Sequence, residues 1–320
     1  MMHTGPARDP ARSRLAGYLF ALAAGSFWGT TGTLSTALYA EGAQLTAVGF
    51  WRILLATLGF LVYGVARRDL FRVDRLGWLL VAGVGGLLVA IFEVSYQYAI
   101  AGAGVAGAAT LLYTAPVLVA LLAKPLLGEA ITALRVFLAT VVMVGVALTV
   151  TGGQGAPLDA PLVGVIGGLL AALSYAGTTL LARWAVPRYG AVRVLFLELA
   201  GGSLLLGVFL PLSGRAPIPP ASVPAWVYVA GLGVGSVLLA NFCFFAAVRR
   251  IEAAPTAVAA SIEPVVSALL GLLLLAQTLT LLGWVGLFLV VGGVAGGYVK
   301  EARVAATPAP APRRGALALE

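Results

Sequence analysis

Ten apolar runs divide the chain, each close to the roughly 20 residues that a helix needs to cross the hydrocarbon of a bilayer. Only 10% of the 320 residues are charged, whereas soluble domains carry about 25%. Because backbone polar groups inside lipid have to be satisfied within the protein, runs of this length predict helices. We therefore expect an all-α polytopic membrane protein with ten transmembrane helices. The runs lie at about 15–38, 45–66, 76–99, 104–124, 131–150, 161–182, 191–211, 224–247, 253–275 and 279–299.

The basic residues between the runs indicate the orientation. With the N-terminus inside, 18 of the 20 Lys and Arg residues fall on the inner side, only Arg215 falls outside, and Arg52 lies within the second run. Cytoplasmic loops carry such an excess of positive charge. We expect both termini to be cytoplasmic, in the inner membrane of a bacterium. The net charge of +8 is then a topology signal and indicates no nucleic-acid partner.

The two halves of the sequence match at a constant offset of 148 residues without a gap. Each half is thus a five-helix unit, and because five is odd the second unit enters the membrane the other way up. Inverted repeats are typical of secondary transporters, whose substrate site lies near the midplane between the repeats. The matched positions include SFWGTT at 26–31 with SYAGTT at 174–179, Trp78 with Trp226, and Pro116 with Pro264.

This duplication divides the chain into five parts. We expect a cytoplasmic tail at 1–14, the first repeat at 15–150, an outer linker at 151–160, the second repeat at 161–300, and a disordered cytoplasmic tail at 301–320. The first run is too long for the core of a signal peptide and has no clear cleavage site, so we expect it to be retained as a helix. The two repeats are expected to enclose a central cavity.

The segment Ser261-Ile262-Glu263-Pro264 places a carboxylate and a helix-breaking proline inside an apolar run. A charge at that depth costs roughly 2.5–3.5 kcal/mol, so Glu263 should face the bundle interior or a wet cavity. Pro264 has no N–H and leaves the carbonyl of Ala260 without its helical partner. The alternative is a simple proline kink, with the acid snorkelling or bonded to a neighbour.

Further intramembrane polar residues lie on other helices. Glu93 and Tyr96 share a face of the third helix, and Arg52 of the second helix is placed to pair with Glu93. This pair is either a structural link or a clamp for a substrate carboxylate, which suits the planar fork of arginine. Glu198 is either a proton site or an interhelical hydrogen-bond partner. Asn241 and Phe244 occupy the positions that match Glu93 and Tyr96 in the second repeat.

Aromatic residues near mid-span would either merely pack or line a cavity that accepts amphiphilic solutes. Tyr113 precedes Pro116 by three residues, as Ser261 precedes Pro264, so both are expected to line one pathway. The predicted substrate pathway comprises Trp28, Thr30, Arg52, Glu93, Tyr96, Tyr113, Pro116, Tyr175, Glu198, Asn241, Phe244, Ser261, Glu263 and Pro264.

Two long segments resemble the end of an EamA domain of the drug/metabolite transporter superfamily. They are SIEPVVSALLGLLLLAQTLTLLGWVGLFLVVGGV, which begins at Ser261, and YTAPVLVALLAKPLLGEAITALRVFLATVVMVGVAL, which begins at Tyr113. Within the superfamily the chain looks most like the YddG group of amino-acid exporters. The resemblance implies a ten-helix exporter with a central cavity and alternating access. The family usually has Gly-Glu after each proline helix; the first repeat keeps it at 128–129, whereas the second reads Ala276-Gln277.

Other chemistry finds no support in the sequence. There is no P-loop and no Gly-x-Ser-x-Gly motif, and the single cysteine and single histidine form no metal cluster. We expect no enzyme activity, no cofactor and no metal. We expect a secondary transporter that exports amino acids, aromatic ones included, or related small metabolites, with the small-molecule substrate, the lipid bilayer and protons as partners. The alternatives are an uncoupled facilitator or channel, and a multidrug or other-metabolite exporter.

Overall fold

A computed structural model describes residues 10–65, 70–115, 117–119, 121–122, 133–152, 161–251 and 253–306. The regular secondary-structure elements in these ranges are all helices. The helices are α1 Pro10–Gly29, α2 Thr31–Ala40, α3 Leu45–Val65, α4 Arg75–Leu112, α5 Ala133–Gly152, α6 Pro161–Tyr189, α7 Ala191–Leu212, α8 Val223–Val248, α9 Ala253–Ala260, α10 Glu263–Leu275 and α11 Leu281–Ala306.

Six of the described helical spans are long and apolar enough to cross a membrane, and two shorter apolar helices accompany them. The chain is therefore built as a multi-pass membrane protein. The run predicted at 15–38 is divided between α1 and α2, and the runs at 76–99 and 104–124 are joined in α4 as far as Leu112. The count of ten spans stays a prediction.

The helices of the two halves make reciprocal contacts. α1 packs against α8 and α9, and its counterpart α6 packs against α4. α3 packs against α8, and its counterpart α7 packs against α4. Two further contacts join counterparts directly, α3 with α7 and α5 with α11. Reciprocal contacts of this kind are expected of a duplicated unit.

Helix boundaries largely repeat at the same offset, with two differences. The break between α1 and α2 has no counterpart, because α6 runs unbroken through the matching position 178. α4 shifted by 148 residues would cover 223–260, the stretch occupied by α8 and α9 together. The first half keeps one long helix with a kink at Gly104, whose φ of 74° favours glycine. The second half ends α8 at Val248 and begins α9 at Ala253. Both halves also contain a segment of wider π-helical turns, Trp78–Gly85 and Gly231–Leu239.

The chain breaks at matched positions ahead of the two proline motifs. A turn at Tyr113 and Thr114 follows α4, and a turn at Ser261 and Ile262 follows α9. The run predicted at 253–275 is therefore two helices and not one kinked helix. Pro264 lies in the first turn of α10, where a missing N–H costs nothing.

Gln277 stabilises the kink in α4. Its Oε1 accepts a hydrogen bond of 2.9 Å from the backbone N–H of Val105, the residue after Gly104. Ala276 holds the left-handed conformation that ends α10, with a φ of 53°. An amide oxygen fills this acceptor role as well as a carboxylate would, so the departure from Gly-Glu at 276–277 does not leave the kink unsatisfied. The matching Gly128-Glu129 lies outside the described residues.

Two matched hydrogen-bonded pairs join the halves at helix starts. Asp74 caps the N-terminus of α4 by accepting from Gly77 N at 2.8 Å, and the Tyr189 hydroxyl donates to the same oxygen at 2.6 Å. Ser222 caps α8, and its hydroxyl donates to Glu41 Oε2 at 2.8 Å. At the offset of 148, Asp74 corresponds to Ser222 and Tyr189 to Glu41. We call these pairs the Asp74–Tyr189 latch and the Ser222–Glu41 latch.

The Asp74–Tyr189 latch carries a charged acceptor. The hydrogen bonds from the Tyr189 hydroxyl and from the Gly77 amide hold the pKa of Asp74 below its usual value. A carboxyl whose pKa is lower in the folded state stabilises the fold at neutral pH, and this contribution is lost as the pH falls through the folded-state pKa.

Candidate substrate site between the two halves

A buried ion pair joins α3 to α4. Arg52 Nη1 donates to Glu93 Oε2 at 3.3 Å, and the two residues are only 6% and 3% exposed. Arg52 lies about two turns into α3, and Glu93 lies near the middle of α4. The pair predicted from the sequence is therefore confirmed. The contact uses one nitrogen of the guanidinium, and Arg52 Nε is buried without a hydrogen-bond partner among the described residues.

Glu263 lies close to the same pair. Its Oε2 accepts a hydrogen bond of 3.3 Å from the Tyr113 hydroxyl, and Arg52 is near enough to interact with it electrostatically. Tyr113 lies in the turn that follows α4, and Glu263 begins α10 directly after the turn at Ser261 and Ile262. The two matched helix breaks therefore bring together residues from different halves. Glu263 is partly buried and forms no ion pair within the described ranges.

Tyr96 and Gln97 extend this group along α4. Tyr96 is buried within electrostatic reach of Arg52, Glu93 and Glu263. Gln97 is fully buried, and its Oε1 lies 2.7 Å from the Tyr39 hydroxyl. The Gln97 amide nitrogen is buried without a partner in the described part of the chain. Two hydrogen-bond donors, Arg52 Nε and Gln97 Nε2, are therefore unused on the same side of the bundle.

Aromatic rings flank the polar group in two clusters. The Trp28 and Phe244 ring centroids are 5.5 Å apart, across the contact between α1 and α8. On the opposite helix pair, Phe92 stacks on Tyr96 at 5.4 Å and lies 6.2 Å from Tyr175. These contacts occur at the two counterpart interfaces, so both halves contribute aromatic surface near the carboxylates.

Tyr175 is 47% exposed, and its place on α6 indicates which way it faces. The exposed apolar residues Ile166, Leu169 and Leu173 mark the lipid-facing side of this helix. Tyr175 follows Ile166 by nine residues, which is two and a half turns, so it lies on the opposite side. Its exposed surface therefore faces the interior of the bundle, as a residue lining an open path does.

The remaining predicted site residues have other neighbours. Thr30 donates to Phe27 O at 2.7 Å, and Asn241 donates to Val237 O at 2.8 Å, so both side chains bond within their own segment. Ser261 is buried at the break before α10, and Pro264 is buried in its first turn. Pro116 lies outside the described residues.

Glu198 lies apart from this group, among apolar residues of α7. A Cβ atom added to Gly85 of α4 would lie 2.8 Å from the Glu198 Cγ, and Leu181 of α6 borders the same space. Glu198 is 6% exposed, and no hydrogen bond seen in the described part of the chain joins it to Arg52, Glu93 or Glu263. The structure therefore does not bring Glu198 together with the other acids.

Tyr39 and Gln277 were missed as functional candidates. Tyr39 lies at the end of an apolar run, where a tyrosine is typical of the membrane interface, and nothing in its sequence neighbourhood indicates Gln97 as its partner. Gln277 was noted only as a departure from a motif. Among the described residues there is no cluster of three or more side chains suited to hold a metal ion.

The comparisons with known proteins are consistent with a transporter. A transporter of Archaeoglobus fulgidus, whose name leaves its substrate open, is 30% identical over 263 residues, 82% of this chain and 90% of its own. The pseudopaline exporter CntI of Pseudomonas aeruginosa is 31% identical over 191 residues, 59% of this chain and 63% of its own. The transporter YwfM of Bacillus subtilis is 25% identical over 280 residues.

A solved crystal structure has the same fold, with a TM-score of 0.65 over 91% of this chain and 99% of its own at 20% identity. The EamA-like transporter family matches the sequence twice, over residues 15–151 and 162–298. The two matches coincide with the halves that make reciprocal contacts in the structure. With a relative that is 30% identical over most of its length, they establish that this chain belongs to the EamA-like transporter family.

Proposed function

We propose that this transporter exports amino acids or closely related zwitterionic metabolites across the bacterial inner membrane by alternating access. The observation that carries the proposal is the charge content of the site. One guanidinium, on Arg52, lies among two carboxylates, on Glu93 and Glu263, in a largely buried space. With all three ionised the group has one negative charge in excess, which favours a ligand that brings a positive charge.

Each end of an amino acid has a complementary group. Arg52 Nε and Gln97 Nε2 are buried donors without partners in the described ranges, and a substrate carboxylate would accept from them. Within the described ranges Glu263 has one hydrogen-bond partner, the Tyr113 hydroxyl, and it would bind the ammonium group. The rings of Tyr96, Trp28 and Phe244 would contact an aromatic or aliphatic side chain.

Alternating access is supported by the reciprocal contacts between the halves. If the second half is inserted the other way up, exchange of the roles of the two halves converts a site open to one side into a site open to the other. The excess of basic residues on one side supports cytoplasmic termini. The amino-acid substrate is also what the resemblance to the YddG group implies.

Purified protein in proteoliposomes tests the proposal with a panel of labelled L-amino acids. We expect the wild-type protein to move at least one of them, and Glu263→Gln to slow this movement about tenfold or more, because a neutral amide attracts an ammonium group less than a carboxylate does. Glu301→Gln, which removes a carboxylate near the C-terminal end of α11, is the matched control. If no member of the panel moves, the substrate class is wrong.

A second candidate, an exporter of another metabolite, is favoured by the relative named as a pseudopaline exporter. Transport of a broader metabolite panel, with no amino acid moved, would support it. Coupling is a separate question, because a facilitator would use the same site without an ion gradient. Counterflow with and without an imposed pH gradient separates a coupled exporter from a facilitator.

A further inference from the structure

We propose that Glu198 is the proton-binding site through which transport is coupled to the pH gradient. The inference rests on the proposed function and adds a residue, outside the substrate group, that carries the coupling ion. Glu198 lies on α7 where this helix packs against the π-helical segment of α4 and against α6.

The first step is the solvation of the Glu198 carboxyl. The residue is 6% exposed, and its Oε1 has no hydrogen-bond partner among the described residues. An ionised carboxylate with one oxygen buried away from water, donors and counter-charges is unfavourable there, whereas a protonated carboxyl is tolerated. In the conformation described Glu198 therefore binds a proton.

The second step is the absence of a counter-charge on the neighbouring helices. Arg52 and Glu93 pair with each other, and Arg188 donates to Trp184 O and lies over the Trp184 ring. No ion pair joins Glu198 to any described residue. The charged and titratable side chains of the described elements around it are Arg52 and Tyr63 on α3, Arg75, Glu93, Tyr96 and Tyr98 on α4, Arg183, Arg188, Tyr175 and Tyr189 on α6, and Arg193 on α7.

The third step is the packing that holds the carboxyl dry. Gly85 leaves the space that the Glu198 side chain fills, because a Cβ atom at Gly85 would lie 3.2 Å from Glu198 Oε1. One turn further along α7, Gly201 and Gly202 lie directly against Gly86. A separation of α4 from α7 would admit water to the carboxyl, and Glu198 would then release its proton to that water. The matching residue of the other half is Phe50, so the duplicated interface has no second carboxyl.

Proteoliposomes with an imposed pH gradient test the coupling, using the amino acid that the wild-type protein moves fastest. We expect the gradient to drive accumulation by the wild type and by Glu198→Asp, which keeps a titratable carboxyl. Glu198→Gln should keep counterflow and lose the accumulation about tenfold or more, since its amide cannot release a proton. Accumulation that is unchanged in Glu198→Gln, or wild-type transport that ignores the gradient, overturns the proposal.

Infrared spectroscopy of the purified protein tests the bound proton without any substrate. We expect a C=O stretching band of a protonated carboxyl that Glu198→Gln removes and Glu41→Gln leaves in place. A spectrum that Glu198→Gln does not change shows that Glu198 is ionised and overturns the proposal. Failure of the wild type to move any amino acid would instead count against the proposed function, because the infrared result does not depend on it.

Discussion

The ionisable residues inside the bundle are unmatched between the two halves. The scaffold repeats at an offset of 148 residues, but each charged side chain of the candidate sites has an uncharged counterpart. The duplicated helices thus form a scaffold common to both halves, whereas each ionisable side chain of the candidate sites occurs in one half alone. The pairs are Arg52 with Ala200, Glu93 with Asn241, Glu198 with Phe50, and Glu263 with Ala115.

The Arg52–Glu93 ion pair leads to a prediction that separates stability from transport. We expect Arg52→Met to lower the free energy of unfolding by about 3–5 kcal/mol, because Glu93 would remain buried without its counter-charge. Thermal unfolding in detergent measures this loss.

The double variant Arg52→Met with Glu93→Leu is the control. It removes both charges, so it should recover most of the lost stability while transport stays absent. Recovery of transport together with stability would show that the pair is only structural, which was the alternative that the sequence left open.

Part of the candidate site could be predicted at the level of single residues. The rarity of charges in apolar runs singled out Arg52, Glu93 and Glu263, and the place of Arg52 and Glu93 in the same half of the membrane predicted the first pair. The contact between Tyr113 and Glu263 spans 150 residues and depends on where two helix breaks meet, so no local pattern could give it. Thr30 and Asn241 were expected in the pathway, but polar side chains in a helix can bond to the preceding turn, as theirs do.

At the level of helices, glycine contacts set the distance between α4 and α7. A Cβ atom at Gly201 would collide with the carbonyl oxygen of Ala82. We expect Gly201→Ala to destabilise the protein by about 1–3 kcal/mol, because the two backbones would have to move apart. The melting temperature in detergent measures the effect.

Gly235→Ala in α8 is the matched control, since a Cβ atom there would meet nothing within 4 Å. Its melting temperature should stay the same or rise, because alanine favours helix more than glycine does. Equal destabilisation by both variants would contradict the assignment of Gly201 to a close backbone contact.

Helix positions were predicted better than helix ends. The apolar runs at 45–66 and 191–211 agree with α3 and α7 to within about two residues, the usual uncertainty of helix ends. The break after Gly29 and the continuity of α4 through Gly104 were not predicted, because no proline or charged residue marks either point. Tertiary contacts decide these points: Ser267 donates to Gly29 O, and Gln277 accepts from Val105 N.

At the level of the whole molecule, the two latches join the halves in one and the same conformation. If the two latches opened alternately during transport, one of them would be broken in any one conformation. We therefore expect both to persist through transport as pivots. Two cysteine pairs, Glu41→Cys with Ser222→Cys and Asp74→Cys with Tyr189→Cys, test this in a background without Cys243, the one cysteine.

A short bifunctional thiol reagent should link each pair and leave transport within about twofold of the unlinked protein, because a pivot does not separate. In intact cells a membrane-impermeant thiol reagent should reach position 41 but not position 74. Block of transport by either link would show that the latch is a gate. Labelling of both positions from outside would contradict the inverted arrangement of the halves.

The unmatched charges bear on how the transporter rests without substrate. If the halves were identical, a state open to one side and its exchanged counterpart would be related by symmetry and equally populated. At four matched positions one half has an ionisable residue and the other an uncharged one, so the two states need not be equally populated. A free-energy difference of about 1.4 kcal/mol between the two states would already give a tenfold preference for one of them. If the halves are inverted as we propose, the duplicated frame makes both orientations reachable, and the residues that differ between the halves decide which one the empty protein favours.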